Sequence, residues 1–179
     1  MSRVFLSIFV LAAFASTAFA QDESPLKLVG DVANGAIVAE GCFGCHGADG
    51  HTSRANTPHL AGQYEEYLKR QLWLFQTGQR TSRPMNRVVE ELSAQDLADV
   101  AAYWADRPAK AVSTSTDGLV SMYVLLGSEF YAAGGGGVSA CSRCHGDLGQ
   151  GNPERNIPRV TGFGAEYVAN ALLRYRAGG

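Results

Sequence analysis

Two copies of the run Cys-x-x-Cys-His-Gly contain all four cysteines of this 179-residue sequence. The first copy begins at Cys42 and the second at Cys141, an offset of 99. Further along, PHLAGQYEEYL at 58–68 matches PRVTGFGAEYV at 158–168 at an offset of 100, so one residue is inserted between the two matches. An internal repeat of this size predicts two related domains.

The spacing within each run suits the attachment of a haem. Cysteines three residues apart on a helical turn lie on the same side, where they can form thioethers with the two vinyl groups at one haem edge. The histidine that follows can then reach the iron, and C-x-x-C-H is the recognised signal for a c-type haem. The predicted thioether residues are Cys42, Cys45, Cys141 and Cys144, and the predicted iron ligands are His46 and His145.

Paired cysteines have two other uses that compete with haem attachment. Two Cys-x-x-Cys elements can build a four-sulfur zinc site, but the pairs, with 98 residues between Cys42 and Cys141, would have to converge across the linker, and the following histidines would be unexplained. A thiol redox pair is expected at a strand–helix junction, and the sequence has no convincing alternating strand. Both alternatives stay open, and the duplicated histidine favours two covalently bound haem c groups.

The first twenty residues are typical of a secretory signal peptide. Arg3 precedes an apolar run that ends in Ala18-Phe19-Ala20, a small-x-small cleavage site. The alternative is a membrane anchor, for which the apolar run is short. We predict cleavage after Ala20, export to the periplasm and a mature chain without a transmembrane segment. Removing residues 1–20, which contain Arg3 and no acidic residue, changes the formal net charge from −2 to −3. A negative net charge does not indicate nucleic-acid binding.

The rest of the pattern predicts an all-α protein. Helices are expected after a cap at Asp31, from about Tyr64, from Ser93, where Ser93 and Asp96 form a capping-box pattern, and around 119–130. The apolar residues at helical spacing are Val32, Ala36, Ile37 and Ala39 in the first helix, Leu68, Leu72 and Phe75 in the second, Leu97, Val100, Ala101 and Trp104 in the third, and Leu119, Tyr123, Leu126 and Phe130 in the fourth. Residues 107–118 are mostly small or turn-forming, which predicts a linker. The predicted organisation is a signal peptide at 1–20, a first domain at 21–106, the linker at 107–118 and a second domain at 119–179.

Met85 is the predicted sixth ligand of the first iron. It lies in the polar stretch TSRPMNRV, interpreted as a loop, where packing alone is a weak reason for a methionine. A thioether opposite imidazole stabilises ferrous iron. His51 and His59 are rival ligands, interpreted as exposed or as neighbours of the ligands.

These segments resemble the dihaem cytochrome c4 family over nearly all of the mature chain. The resemblance rests on GCFGCHGADG, PHLAGQYEEYLKRQLWLFQTGQR, PMNRVVEELSAQDLADVAAYWA and the second CSRCHG…PRVTGFGAEYV. The chain is also similar to the dihaem cytochrome subunit of flavocytochrome c sulfide dehydrogenase. The resemblance implies two tandem class I cytochrome c domains with their haems close together. It also implies that the carbonyls of Pro58 and Pro158 accept a hydrogen bond from the ligating histidines.

The repeat also raises the question of a second methionine. Adding the offset of 100 to Met85 gives position 185, beyond Gly179, and Met122 lies upstream on a predicted helix. Two explanations were considered: the sequence is a fragment with an incomplete second domain, which we favour, or the second iron is five-coordinate or bound by another group.

Three functions follow as hypotheses. The first is an electron carrier, not an enzyme, that exchanges electrons with a donor and an acceptor such as a terminal oxidase, with peripheral membrane association allowed. The second is the electron-accepting subunit of a flavoprotein complex. The third is a dihaem enzyme with an open second iron, of a peroxidase or thiosulfate-oxidising type; no catalytic acid–base pair is evident in the sequence to support it.

Overall fold

The computed structural model describes residues 24–109 and 122–178. The predicted signal peptide and most of the predicted linker therefore lie outside the described residues. The described chain is helical, as expected, and its only β-type pairings are two isolated bridges. The helices are α1 (Val32–Ala39), α2 (Phe43–His46), α3 (Glu65–Gln76), α4 (Arg83–Val89), α5 (Ala94–Asp106), α6 (Met122–Ala133), α7 (Ser142–His145) and α8 (Ala165–Arg176).

Helix α5 is the centre of the first module, which we define as residues 24–109. Ser93 caps it in the predicted capping box, with the Ser93 and Asp96 side chains each accepting a backbone N–H of the other residue. All four predicted core positions of α5, Leu97, Val100, Ala101 and Trp104, are buried. They pack against α1 and α3, so the apolar stripe of α5 was predicted correctly.

Helix α1 begins as predicted, but only part of its predicted apolar stripe, chiefly Ala39, is buried. The Asp31 carboxylate caps it by accepting the N–H of Asn34 at 2.8 Å. Ile37, placed on the predicted apolar stripe, is 71% exposed, and the buried positions are Gly35 and Ala39. A Cβ at Gly35 would overlap the Asp99 carbonyl on α5. The two helices approach so closely that small residues form the contact, which a stripe of large side chains does not predict.

Met85 lies on a helix, and its predicted position in a loop is wrong. Helix α4 spans Arg83–Val89, with Pro84 in the first turn, where proline costs no hydrogen bond and presets the backbone angle. The Asn86 side chain accepts the N–H of Ser82 at 2.7 Å and donates to the Phe75 and Arg80 carbonyls. The polar residues that suggested a loop therefore fasten α4 to the end of α3.

The second module, residues 122–178, repeats the order of the first, with α6, α7 and α8 in the places of α1, α2 and α3. In both modules a glycine carbonyl accepts two consecutive N–H groups: Gly50 from Leu60 and Ala61, and Gly149 from Val160 and Thr161. These paired loops show the sequence repeat as a structural repeat. The inserted residue falls in the loop that the Asn152–Ile157 bridge closes.

Helix α6 forms where an apolar helix was predicted, yet its apolar side chains face outward. Tyr123 is 85% exposed and Leu126 is 54% exposed, whereas α1 of the first module packs along α5. Within the described residues, no helix combines the length and the apolar character needed to cross a bilayer.

Candidate haem-binding sites

Each Cys-x-x-Cys-His run forms a single helical turn. In the first module Cys42 ends a 3₁₀ turn and α2 follows directly; in the second, Cys141 is the N-cap of α7. None of the four cysteines is in a disulfide, and each pair has one half-buried and one exposed thiol. Two reduced sulfurs on one turn, at the edge of each module, are what the formation of two thioethers requires.

The glycine after each histidine is required by the backbone. Gly47 has φ of 82° and Gly146 has φ of 78°, a left-handed conformation that side chains with a Cβ rarely adopt. Each of these glycines ends its short helix and lets the chain turn back at once. This return brings the following loop, with its proline, over the histidine.

The two histidines make the same contact. The Nδ1 atom of His46 lies 2.9 Å from the Pro58 carbonyl oxygen, and that of His145 lies 2.9 Å from the Pro158 carbonyl oxygen. Since a carbonyl only accepts, the hydrogen bond puts the proton on Nδ1. The Nε2 lone pair is then free to bind a metal.

The environment of His46 also favours the neutral ring. Its side chain is buried, and burial lowers the pKa of His46 below its usual value. The hydrogen bond to Pro58 opposes this effect, and nearby Arg54 and His59 add to the lowering. A neutral imidazole is the form that binds iron, so the fold prepares His46 for ligation before any metal is present.

A single cavity joins the predicted ligands of the first module. It has a volume of about 280 Å³ and is lined by Cys42, Cys45, His46 and Met85. Apolar side chains supply much of the remaining wall, including Leu68, Leu72, Phe75, Val100 and Trp104. A thioether and an imidazole on one apolar cavity suit the two axial positions of a haem iron.

The residues present fit a haem in a further respect. The indole N–H of Trp104 is buried in the cavity wall, and its partner in the described part of the chain is the Cys42 thiol, a weak acceptor. A buried donor with so weak a partner costs free energy. A prosthetic group with an apolar ring and carboxylate substituents would fill the cavity and offer acceptors to its walls.

The second module holds its ligands in a more open setting. His145 is half-buried, and its turn is fastened by the Tyr131 hydroxyl, which donates to the Gly146 carbonyl at 2.6 Å. Met122 is 67% exposed on α6. The described residues thus bring two cysteines and a histidine together here, without a methionine beside them.

The rival histidines are not solvent-exposed, so that part of their interpretation is wrong. Both are half-buried, with ring centroids 5.5 Å apart. His59 Nδ1 accepts the N–H of Thr52 at 3.0 Å, while His51 lies 3.4 Å from Asp49. Their rings pack in the loop that surrounds the His46–Pro58 contact.

The zinc alternative finds no support in the geometry. Among residues 24–109 and 122–178, no group of three or more histidine, cysteine or carboxylate side chains is placed to hold a metal ion. The two cysteine pairs lie on separate turns in separate modules, so they do not form a four-sulfur site.

The residues that join the two modules were missed by the sequence analysis. The Gln63 amide donates to the Arg159 carbonyl at 2.9 Å and accepts the Arg159 N–H at 3.0 Å. Arg159 Nε donates to the Gly62 carbonyl at 3.2 Å, and the Tyr64 hydroxyl donates to the Gln150 carbonyl at 2.6 Å. A signal did exist: Pro58–Tyr67 and Pro158–Tyr167 match in sequence, and these matched loops are the surfaces that meet.

Comparison with known proteins agrees with this architecture. The family model described as "Cytochrome c" matches residues 32–106. Cytochrome c4 from Pseudomonas aeruginosa is 38% identical over 151 residues, covering 83% of this chain and 73% of that protein. The crystal structure of reduced recombinant cytochrome c4 from Pseudomonas stutzeri superposes with a TM-score of 0.74 at 31% identity, covering 84% of this chain and 82% of that one.

One relative carries a different name. The "Thiosulfate dehydrogenase electron acceptor" of Thiomonas intermedia is 32% identical over 145 residues, covering 78% of this chain and 64% of that protein. The cytochrome c4 relatives are covered over more of their own length, 73% for the Pseudomonas aeruginosa protein and 84% for the Stutzerimonas stutzeri protein. With two matching haem-attachment turns and the class I cytochrome c fold, the chain belongs to the cytochrome c4 family of electron carriers and binds two haem c groups covalently.

Proposed function

We propose that the chain carries electrons between two redox proteins in the periplasm, after export and removal of residues 1–20. When bound, each haem iron takes up and releases one electron. Axial ligands held by the fold, such as His46 and Met85 at the first iron, would suit outer-sphere transfer because they would move little between oxidation states. A terminal oxidase is the acceptor that the resemblance suggests.

The proposed site follows the repeat. Thioethers form at Cys42 and Cys45 in the first domain, 21–106, and at Cys141 and Cys144 in the second, 119–179, with residues 107–118 as the linker. His46 and Met85 bind the first iron, and His145 binds the second. Pro58 and Pro158 orient the two imidazoles through their carbonyl oxygens.

One observation carries this proposal: His46 and His145 make the same 2.9 Å contact with the proline carbonyls of matched loops. A core histidine satisfied by chance would not be expected to reproduce its partner, its atom and its distance in a second module. The duplication is therefore better explained by a shared ligand role than by packing.

Methionine substitution tests the ligand set. We expect Met85→Ala to lower the potential of the first haem and to open its iron to carbon monoxide, because the thioether is lost from one axial position. Met122→Ala is the matched control, since Met122 is exposed and should leave both properties unchanged. Equal carbon monoxide binding by the wild type and Met85→Ala would exclude Met85 as the ligand.

A second candidate function is electron acceptance from a thiosulfate-oxidising enzyme. The name of the Thiomonas intermedia relative favours it. Rapid reduction of the purified chain by a thiosulfate dehydrogenase with thiosulfate, and not by thiosulfate alone, would support this role. Turnover of thiosulfate by the chain itself would instead favour an enzyme with an open second iron, and co-purification with a flavoprotein would favour the flavocytochrome alternative.

A further inference from the structure

The cavity of the first module has a wall that belongs to the second module. Phe163, Tyr167 and Arg174 line it together with His46 and Met85. Tyr167 is 9% exposed, and its ring packs on Phe163 with centroids 5.1 Å apart. The first site is therefore complete only when α8 of the second module lies against it.

Arg80 connects the part of the cavity wall that the second module supplies to the first module. Its guanidinium donates to the Tyr167 hydroxyl at 3.2 Å and to the Gln71 side-chain oxygen. The guanidinium carbon also lies 4.5 Å from the centre of the Phe75 ring, a cation–π contact. The planar guanidinium group of Arg80 thus donates to Gln71 in α3 and to Tyr167 in α8.

The backbone of Arg80 is part of the segment that leads to Met85. Its N–H donates to the Leu74 carbonyl at 2.8 Å, and its carbonyl accepts the Asn86 side-chain amide at 3.0 Å. Asn86 is the neighbour of Met85 on α4. Movement of Arg80 would therefore be passed directly to the turn that carries the methionine.

We propose that Tyr167 is a positioning residue for the first haem. Through its hydroxyl it fixes Arg80, Arg80 fixes Asn86, and Asn86 keeps Met85 directed at the iron. Docking of the second module thus sets the strength of axial ligation in the first module. This inference rests on the proposed role of Met85 as the sixth ligand.

The Tyr167 hydroxyl contributes a hydrogen-bond acceptor, which the packing of its ring cannot replace. A half-buried guanidinium needs acceptors for its N–H groups, and a hydrogen bond from a charged donor is stronger than one between neutral groups. Phenylalanine at 167 would keep the packing on Phe163 but remove the acceptor. Arg80 would then gain by turning towards water, and the Arg80–Asn86 link would loosen.

The test follows the methionine methyl groups of the full dihaem protein. Residues 21–179 contain two methionines, Met85 and Met122, so labelling methionine with ¹³C at the methyl group gives two signals from this part of the chain. In the oxidised protein, the methyl group of a methionine whose sulfur is bound to paramagnetic iron would resonate far from the ordinary range. Titration with imidazole, which competes for the iron, should return this signal to the ordinary range.

We expect Tyr167→Phe to raise the apparent affinity for imidazole at the first haem about fivefold, because loss of the hydrogen bond weakens the methionine-bound state. Arg80→Lys, which keeps the charge but loses the fork, should act similarly. The double variant should be little worse than either single variant, since both remove one contact. Tyr175→Phe is the matched control, because Tyr175 lies on the same helix α8 but is 65% exposed and does not line the cavity.

The outcomes distinguish the role of Met85 as a ligand from the positioning role of Tyr167. If the wild type shows no displaced methyl signal, Met85 is not a ligand and the inference fails with the proposed site. If the displaced signal is present but Tyr167→Phe and Arg80→Lys titrate like Tyr175→Phe, the ligand assignment stands and the positioning role of Tyr167 is wrong.

Discussion

Replacement of Gln63 by alanine tests how firmly the two modules are held together. Gln63 is 4% exposed and exchanges two hydrogen bonds with the backbone of Arg159, at 2.9 and 3.0 Å. A net contribution of about 1 kcal/mol for each bond gives about 2 kcal/mol for the pair. That free energy corresponds to a roughly thirtyfold larger population of molecules in which this contact is open.

Amide hydrogen exchange of Arg159 in the reduced protein measures this opening directly, because its N–H donates to Gln63. We expect exchange to be about thirtyfold faster in Gln63→Ala. Gln76→Ala is the control, because the Gln76 amide also donates to two backbone carbonyls, those of Val89 and Leu92, but within the first module. Unchanged Arg159 exchange in Gln63→Ala would refute the idea that this pair fastens the modules.

Two further substitutions test the attachment and the core. Cys42→Ser should leave the first haem with one thioether and reduce its incorporation, as measured by haem content per chain; normal incorporation of two haems would contradict the attachment pattern. Leu97→Ala should lower the free energy of unfolding by about 3 kcal/mol, because Leu97 is fully buried against Phe75 and Val89. Denaturant unfolding should show almost no change for the exposed control Leu148→Ala, and equal effects of the two would argue against the packing described here.

The features predicted from sequence are those fixed by near neighbours. The capping box at Ser93, the Asp31 cap and the turns at Cys42 and Cys141 depend on residues a few positions apart, so local patterns indicate them. The repeat offset also predicted which residues of the two modules correspond to each other. The histidine–proline contacts came only from the family resemblance, because the two partners in each are more than ten residues apart.

The failures have a common physical cause. Met85 was assigned to a loop because serine, proline and asparagine usually mark turns, yet Asn86 makes tertiary hydrogen bonds that stabilise a helix there. Helical spacing places Ile37 on the apolar stripe of α1, whereas Gly35 permits the closer approach of α5. The Gln63–Arg159 and Arg80–Tyr167 contacts join residues 96 and 87 positions apart, and no local pattern specifies such pairs.

The account depends on one bonding pattern, in which each module binds a haem through two cysteine sulfurs and an adjacent histidine. The most direct test is the mass of the denatured mature chain, together with its visible absorption. We expect the mass of the polypeptide processed after Ala20 plus two haems, which remain attached after unfolding. A colourless product with the mass of the bare polypeptide would contradict the account.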